Sequence, residues 1–133
     1  MDGIDQIYQE QILDHYKNPR NFGKIDNATV HHHEYNPLCG DEIEMFLIIK
    51  DDKIADVRIN GHGCAISQAS ASMLSEKIKG KNLEELKKLT KEDILEMLGI
   101  PLSPVRLKCA LLSLDTFKNA IVIFEKYVNG DKN

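Results

Sequence analysis

Long apolar runs are missing from this sequence of 133 residues. None approaches the roughly 18 consecutive apolar residues that a membrane-spanning helix needs, so no such span is expected. A basic stripe is missing too: 17 Lys and Arg stand against 21 Asp and Glu, a net charge of -4. Binding to a phosphate backbone draws on clustered positive charge, so nucleic acid is not an expected partner. Aromatic residues do not alternate with basic ones, which removes the usual platform for single strands. Residues Met1 to Gln6 form neither a basic nor an apolar signal segment, so a cytoplasmic location is expected. With no internal repeat, linker or low-complexity stretch, residues 1–133 read as one domain, and the 42% apolar share is enough for one core. Cysteine is scarce. The three present, Cys39, Cys64 and Cys109, are far apart, which excludes the close cysteine pairs of zinc fingers and ferredoxins. An odd number of cysteines in a cytosolic chain points to a metal site or a reactive thiol. Burial as small hydrophobes is the alternative.

What is present is a readable series of elements. Ile4, Ile7, Tyr8, Ile12 and Tyr16 recur at helical spacing, and Asn18-Pro19-Arg20-Asn21-Phe22-Gly23 stops that helix. Ala28 to Tyr35 reads as a strand. Glu42 to Lys50 alternates, with Ile43, Met45, Leu47 and Ile49 on one face, and Asp51-Asp52-Lys53 turns the chain into a strand through Ile54, Val57 and Ile59. From Cys64 the chain is helical and rich in small residues. Asn82 with Glu85, and Thr90 with Asp93, mark two further helix starts, the second helix stopping at Gly99 before Pro101. The last helix carries a stripe through Leu107, Leu111, Leu114, Phe117, Ile121, Phe124 and Val128. The expected fold is α+β: a small antiparallel sheet, a hairpin extended to three strands, with helices on one side.

The cysteine neighbourhoods carry the chemistry. In Asn36-Pro37-Leu38-Cys39-Gly40-Asp41 the thiol and the carboxylate are two residues apart, so in extended chain they face one side. Asp41 by itself also reads as a turn aspartate before a strand. Cys64 follows Gly61-His62-Gly63 where the loop enters a helix, and the positive end of a helix dipole favours a thiolate. Cys109 follows Pro104 and Lys108, and because the stripe runs through Leu107 and Leu111 it need not face the core. Lys108 is read as a stabiliser of a thiolate, or as a solvated surface lysine. Of the run His31-His32-His33, only His31 and His33 share a face, as an exposed strand or an adventitious metal binder, and His62 is read as a loop residue. Three thiolates with the Asp41 carboxylate would supply four ligands to one soft metal centre and hold it less firmly than four thiolates would.

These motifs, together with Ile12-Leu13-Asp14-His15-Tyr16-Lys17-Asn18-Pro19-Arg20, Ala69-Ser70-Ala71-Ser72 and Arg106-Leu107-Lys108-Cys109-Ala110, resemble the IscU family of iron–sulfur cluster scaffolds with its SufU and NifU N-terminal relatives. The resemblance runs over almost the whole chain. It implies the SufE/NifU-like α+β fold, with a small three-stranded antiparallel sheet and the three cysteines at one end. It also implies a function: a cysteine desulfurase delivers sulfur, iron enters, a labile [2Fe-2S] cluster forms on Cys39, Asp41, Cys64 and Cys109, and the cluster passes to recipient apo-proteins. The implied protein is a scaffold and carrier, with Cys39, Cys64 and Cys109 as candidate sulfur-accepting thiols and a homodimer as a possible state.

Two positions depart from the pattern. Lys108 stands where IscU members carry histidine, as in SufU-like members, yet the SufU insertion before the third cysteine is absent. Leu102-Ser103-Pro104-Val105-Arg106 has serine in place of one proline of the segment through which bacterial IscU proteins engage an Hsp70-type chaperone. The alternatives are a zinc-bound SufU-type sulfur acceptor on the same residues and a structural zinc-binding module. A cysteine hydrolase has less support, because no histidine–acid pair has a claim as base.

Overall fold

In the computed structural model of the chain, residues 3–38 and 40–130 are described, with side chains from 9 to 38 and from 40 to 128. The order is helix α1 (Gly3–Lys17), strands β1 (Val30–Asn36), β2 (Asp41–Lys50) and β3 (Lys53–His62), then helices α2 (Ala65–Ile78), α3 (Leu83–Leu86), α4 (Lys91–Leu98) and α5 (Pro104–Gly130). The strands form one antiparallel sheet in the order β1-β2-β3. The α+β expectation with three strands therefore holds.

Period-two alternation assigns the two faces of the sheet. Ile43, Met45 and Leu47 of β2 and Val57 and Ile59 of β3 are buried against the helices. The odd step from Ile54 to Val57 has a structural cause. Ile48 pairs with Asp56 but Ile49 pairs with Ile54, so Ala55 is the extra residue of a β-bulge. The free edge of β3 is covered by the segment that ends the first helix: Gly23 N donates to Ile59 O (2.9 Å) and Ile59 N to Asn21 O (2.8 Å). That cover pairs the edge of β3 at Ile59.

Small residues let α2 approach its neighbours closely, as its composition suggested. Ser70 Oγ donates to Ala110 O of α5 at 2.7 Å and lies 3.1 Å from Ser113 Oγ. On the α1 side, Ser72 Oγ accepts from Arg20 N (2.8 Å) and lies 2.7 Å from His15 Nδ1. Burial disfavours the charged imidazole and, with the nearby Arg20 guanidinium, holds the His15 pKa below the usual histidine value.

Helix boundaries follow their caps. Asn82 caps α3 by accepting from Glu84 N at 2.8 Å. The Asp93 carboxylate accepts from Thr90 N (2.8 Å) at the start of α4, and Gly99 ends that helix in the left-handed region. In α1, Ile12 is buried but Tyr16 is 44% exposed, so the expected stripe does not continue to Tyr16. Its other members Ile4, Ile7 and Tyr8 lie outside the residues with described side chains. In α5 the expected stripe holds at Leu114, Phe117 and Ile121, which are buried, but the first turns are rotated from it. There Cys109, Ala110 and Leu112 are buried while Leu107 and Leu111 are half-buried, and at the far end Val128 is 36% exposed. Among the described residues no helix is long and apolar enough to cross a membrane.

Candidate functional site

Asp41 opens β2, and alternation turns it to the same face as Ile43 and Met45, where it is fully buried. A buried carboxylate needs partners, and the turn between β3 and α2 provides one. Cys64 is the N-cap residue of α2, and its backbone N–H donates to Asp41 Oδ1 at 2.8 Å. Its thiol lies 3.6 Å from the other oxygen, Oδ2. Asp41 is thus bound to the start of a helix 23 residues away in sequence. Ser67 tightens the same turn by donating Oγ to Cys64 O at 3.1 Å.

Glycine is required just before Cys64. Gly63 has φ +152°, and a Cβ there would sit 2.2 Å from Asp41 Oδ1 and 2.9 Å from Ser67 Oγ. Any side chain would push the carboxylate out of its place. The third donor comes from α5. Cys109 is only 3% exposed, which corrects the expectation that it need not face the core. The physical reason is the rotation of α5, whose first turns present Cys109, Ala110 and Leu112 inward.

Asp41, Cys64 and Cys109 each offer a ligand atom, and all three atoms lie within 4.8 Å of one another. For a tetrahedral ion with bonds of about 2.3 Å to sulfur and 2.0 Å to oxygen, neighbouring ligands are about 3.5 Å apart. The 3.6 Å between Cys64 Sγ and Asp41 Oδ2 matches that edge. The donor set, two thiols and a carboxylate, suits zinc or iron. Cys39, the fourth expected ligand, lies outside the described residues. Among its described neighbours, Leu38 N donates to Asn36 Oδ1 (3.0 Å) and Gly40 N to Asn36 O (2.9 Å).

The remaining candidates fall elsewhere. Lys108 is exposed and lines a groove of about 430 Å³ with Tyr35, Pro37, Leu38, Leu111 and Asp115. Within this groove burial and the charge of Glu34 push the Asp115 carboxyl above the usual aspartate value. His62 belongs to the end of β3 rather than to a loop and turns to the outer face of the sheet, towards Glu42. His31 and His33 are exposed on that same face, as expected for an exposed strand. His32 points the other way, to Glu34, whose carboxylate also accepts from Asn119 at 3.0 Å. Sequence reasoning missed the bond from Cys64 N to Asp41, because no local pattern links two residues on different elements. It also missed the cap of α5. Ser103 Oγ accepts from Arg106 N (3.4 Å) directly before Pro104, the first helical residue. The serine followed by proline was the available signal.

The sequence profile of the NifU-like N terminal domain matches residues 7–130. The chain is 38% identical over 127 residues to the iron–sulfur cluster assembly scaffold protein IscU 1 of Archaeoglobus fulgidus, covering 95% of this chain and 82% of that protein. It is 35% identical over 135 residues to the zinc-dependent sulfurtransferase SufU of Bacillus subtilis, covering 89% and 91%. Among solved structures, an iron–sulfur cluster assembly scaffold protein for the SUF system from Fervidobacterium islandicum superposes with a TM-score of 0.75. That structure is 35% identical, over 89% of this chain and 98% of that one.

Proposed function

The chain belongs to the family of NifU-like N-terminal domains, and from that premise we propose that it is an iron–sulfur cluster assembly scaffold, working as one domain over residues 1–133. The observation that carries this reading is the convergence of Asp41, Cys64 and Cys109, from a strand, a helix cap and a second helix, to within 4.8 Å. Cys39, two residues before Asp41, joins them as the fourth ligand.

The roles follow from the donor chemistry. Sulfur arrives from a cysteine desulfurase as a persulfide. A cysteine thiolate of the site attacks its outer sulfur, a new S–S bond forms to the scaffold, and the donor leaves as a thiolate. Of the two described thiols, Cys64 is half-buried and Cys109 is almost fully buried, so Cys64 is the more accessible acceptor. An external two-electron donor, such as a thiol or a reduced ferredoxin, cleaves that persulfide and releases its outer sulfur as sulfide while the cysteine returns to a thiolate. Iron and sulfide are the cargo, built as a [2Fe-2S] cluster on the three cysteines and Asp41. The carboxylate is the hard, replaceable ligand, which lets the cluster move to an apo-protein. Lys108, the sequence neighbour of Cys109, is assigned the role of stabilising a thiolate. The protein is a carrier rather than an enzyme, and the cytoplasm, which keeps thiols reduced, suits it. The chaperone segment Leu102–Arg106 has its last four residues exposed, with Val105 at 63%, so a chaperone could reach it.

A second reading, a zinc-bound sulfur acceptor, is favoured by Lys108 and by the similarity to SufU. Chain length speaks against it. The alignment to SufU spans 135 positions yet covers 89% of this 133-residue chain, so SufU carries positions with no counterpart here. The alignment to IscU 1 needs 127 positions for 95%.

Anaerobic purification, with iron, sulfide and zinc measured per chain, separates the two. Reconstitution with a desulfurase, cysteine and ferrous iron should then produce the visible absorption of a cluster that passes to an apo-ferredoxin. Tightly held zinc with no transferable cluster would overturn the scaffold reading. Asp41→Ala should lengthen the cluster lifetime or slow its transfer, and faster loss would count against Asp41 as the labile ligand.

A further inference from the structure

The outer face of the sheet carries titratable side chains that cluster assembly does not use. There His33 of β1, Glu42 and Glu44 of β2, and Asn60 and His62 of β3 line a shallow depression of about 270 Å³. Register brings them together: Glu42 pairs with His62, and His33 pairs with Glu44. Each oxygen of the Glu42 carboxylate faces a different imidazole. His33 Nε2 lies 3.2 Å from Oε2, and His62 Nε2 lies 3.4 Å from Oε1. His31 Nε2 adds a longer contact, 4.0 Å, to Glu44.

We propose that His33, Glu42 and His62 form a second divalent-cation site, built of nitrogen and oxygen donors, for a borderline first-row ion such as ferrous iron, cobalt or zinc. Imidazole and carboxylate together suit such ions. Each imidazole lies within hydrogen-bond reach of its own Glu42 oxygen, at 3.2 and 3.4 Å. Neighbouring ligands of a tetrahedral ion with bonds of about 2.0 to 2.1 Å lie about 3.3 Å apart, so an ion shared by all three also requires the two imidazole nitrogens to approach each other. The donors come from three adjacent strands, so the sheet fixes their spacing and only their side-chain torsions remain free.

Mobility matters here, because the site is not closed. Among the described residues, only Asp41, Cys64 and Cys109 already surround a point. The two outer imidazoles meet opposite oxygens of Glu42, and an ion completes the set by drawing both over the middle strand. The side chains of His33 and His62 are 48% and 65% exposed, so that swing meets little packing. The neighbouring Glu44 carboxylate adds negative charge. The site does not depend on the assembly reading, since none of its three donors belongs to the thiolate group.

The test is anaerobic titration of the full chain with cobalt(II) alone, read by two signals. Imidazole NMR resonances report the outer face, and the near-ultraviolet thiolate-to-cobalt absorption reports the buried group. One saturable cobalt event should shift His33 and His62 together at sub-millimolar concentration. His33→Gln and His62→Gln should each weaken that event at least tenfold, a usual scale for lost metal-site contacts. The near-ultraviolet band and the far-ultraviolet circular dichroism should stay unchanged, which shows that both variants fold. Separate titration of the two histidines, weakening in only one variant, or no weakening in either overturns the site.

Discussion

Asp41 and Glu42 are neighbours in sequence, yet the pleat of β2 sends them to opposite faces of the sheet. Asp41 is fully buried and hydrogen-bonded to a helix start, beside two thiols. Glu42 stands between two exposed imidazoles. The inner group is held in place by its surroundings: Gly63 leaves room for the carboxylate, Cys64 N orients it, and the rotation of α5 brings Cys109 to it. The outer group has only strand register behind it. A buried site is therefore set before its cargo arrives, while an open one is completed by what it binds. The difference is the cost of leaving a polar group unpartnered away from water, which acts on Asp41 and hardly on Glu42.

The strongest way to break this contrast is to take away the room made for Asp41. Gly63→Ala places a methyl group 2.2 Å from the carboxylate at φ +152°. We expect a loss of about 2 kcal/mol in chemical denaturation, together with loss of cluster reconstitution on the inner site and intact cobalt binding on the outer face. Unchanged stability and reconstitution would mean that the inner group is not held as tightly as described.

A crossed pair sharpens the comparison. Asp41→Ala should change cluster lifetime and leave the outer imidazole titration as it was. Glu42→Ala should abolish the joint response of His33 and His62 and leave cluster lifetime as it was. If either substitution moves both signals, the two faces are coupled through β2.

Histidines at different depths give a smaller effect. His15 is partly buried against Ser72, and its pKa is held below the ordinary value of 6.5. The unfolded chain therefore takes up the proton more readily as pH falls. His15 should cost nothing well above pH 6.5, and stability should drop as the pH falls below that value towards the folded pKa. Denaturation midpoints in His15→Gln should show a shallower decline across about pH 7 to 5 than in the parent chain. An equal slope would place the acid sensitivity elsewhere.

The smallest effect concerns the helix that carries Cys109. Ser103→Ala removes the side-chain cap of α5 and should cost about 0.5 to 1 kcal/mol in denaturation, with cluster assembly retained. A larger loss, with assembly impaired, would show that the cap also positions Cys109.

Much of the molecule was legible in the residues because local rules act over short distances. Alternation from Ile43 to Leu47 marked β2 and its buried face, Thr90 with Asp93 and Gly99 bounded α4, and the small residues after Cys64 anticipated a close helix crossing. The bulge at Ala55 was less visible, since one extra residue breaks the alternation without announcing why. The rotation of α5 was misread at Cys109 because a long helix with many apolar residues offers more than one plausible stripe, and only its neighbours select one.

The order of the motifs, their residue types and the family they belong to were determined by the sequence alone, since each rests on residues close together in the chain. The convergence of Asp41, Cys64 and Cys109, and the encounter of Glu42 with His33 and His62, were decided by the tertiary structure. Strand register and helix rotation depend on packing the whole core at once, and they determine which distant side chains come within a bond's reach.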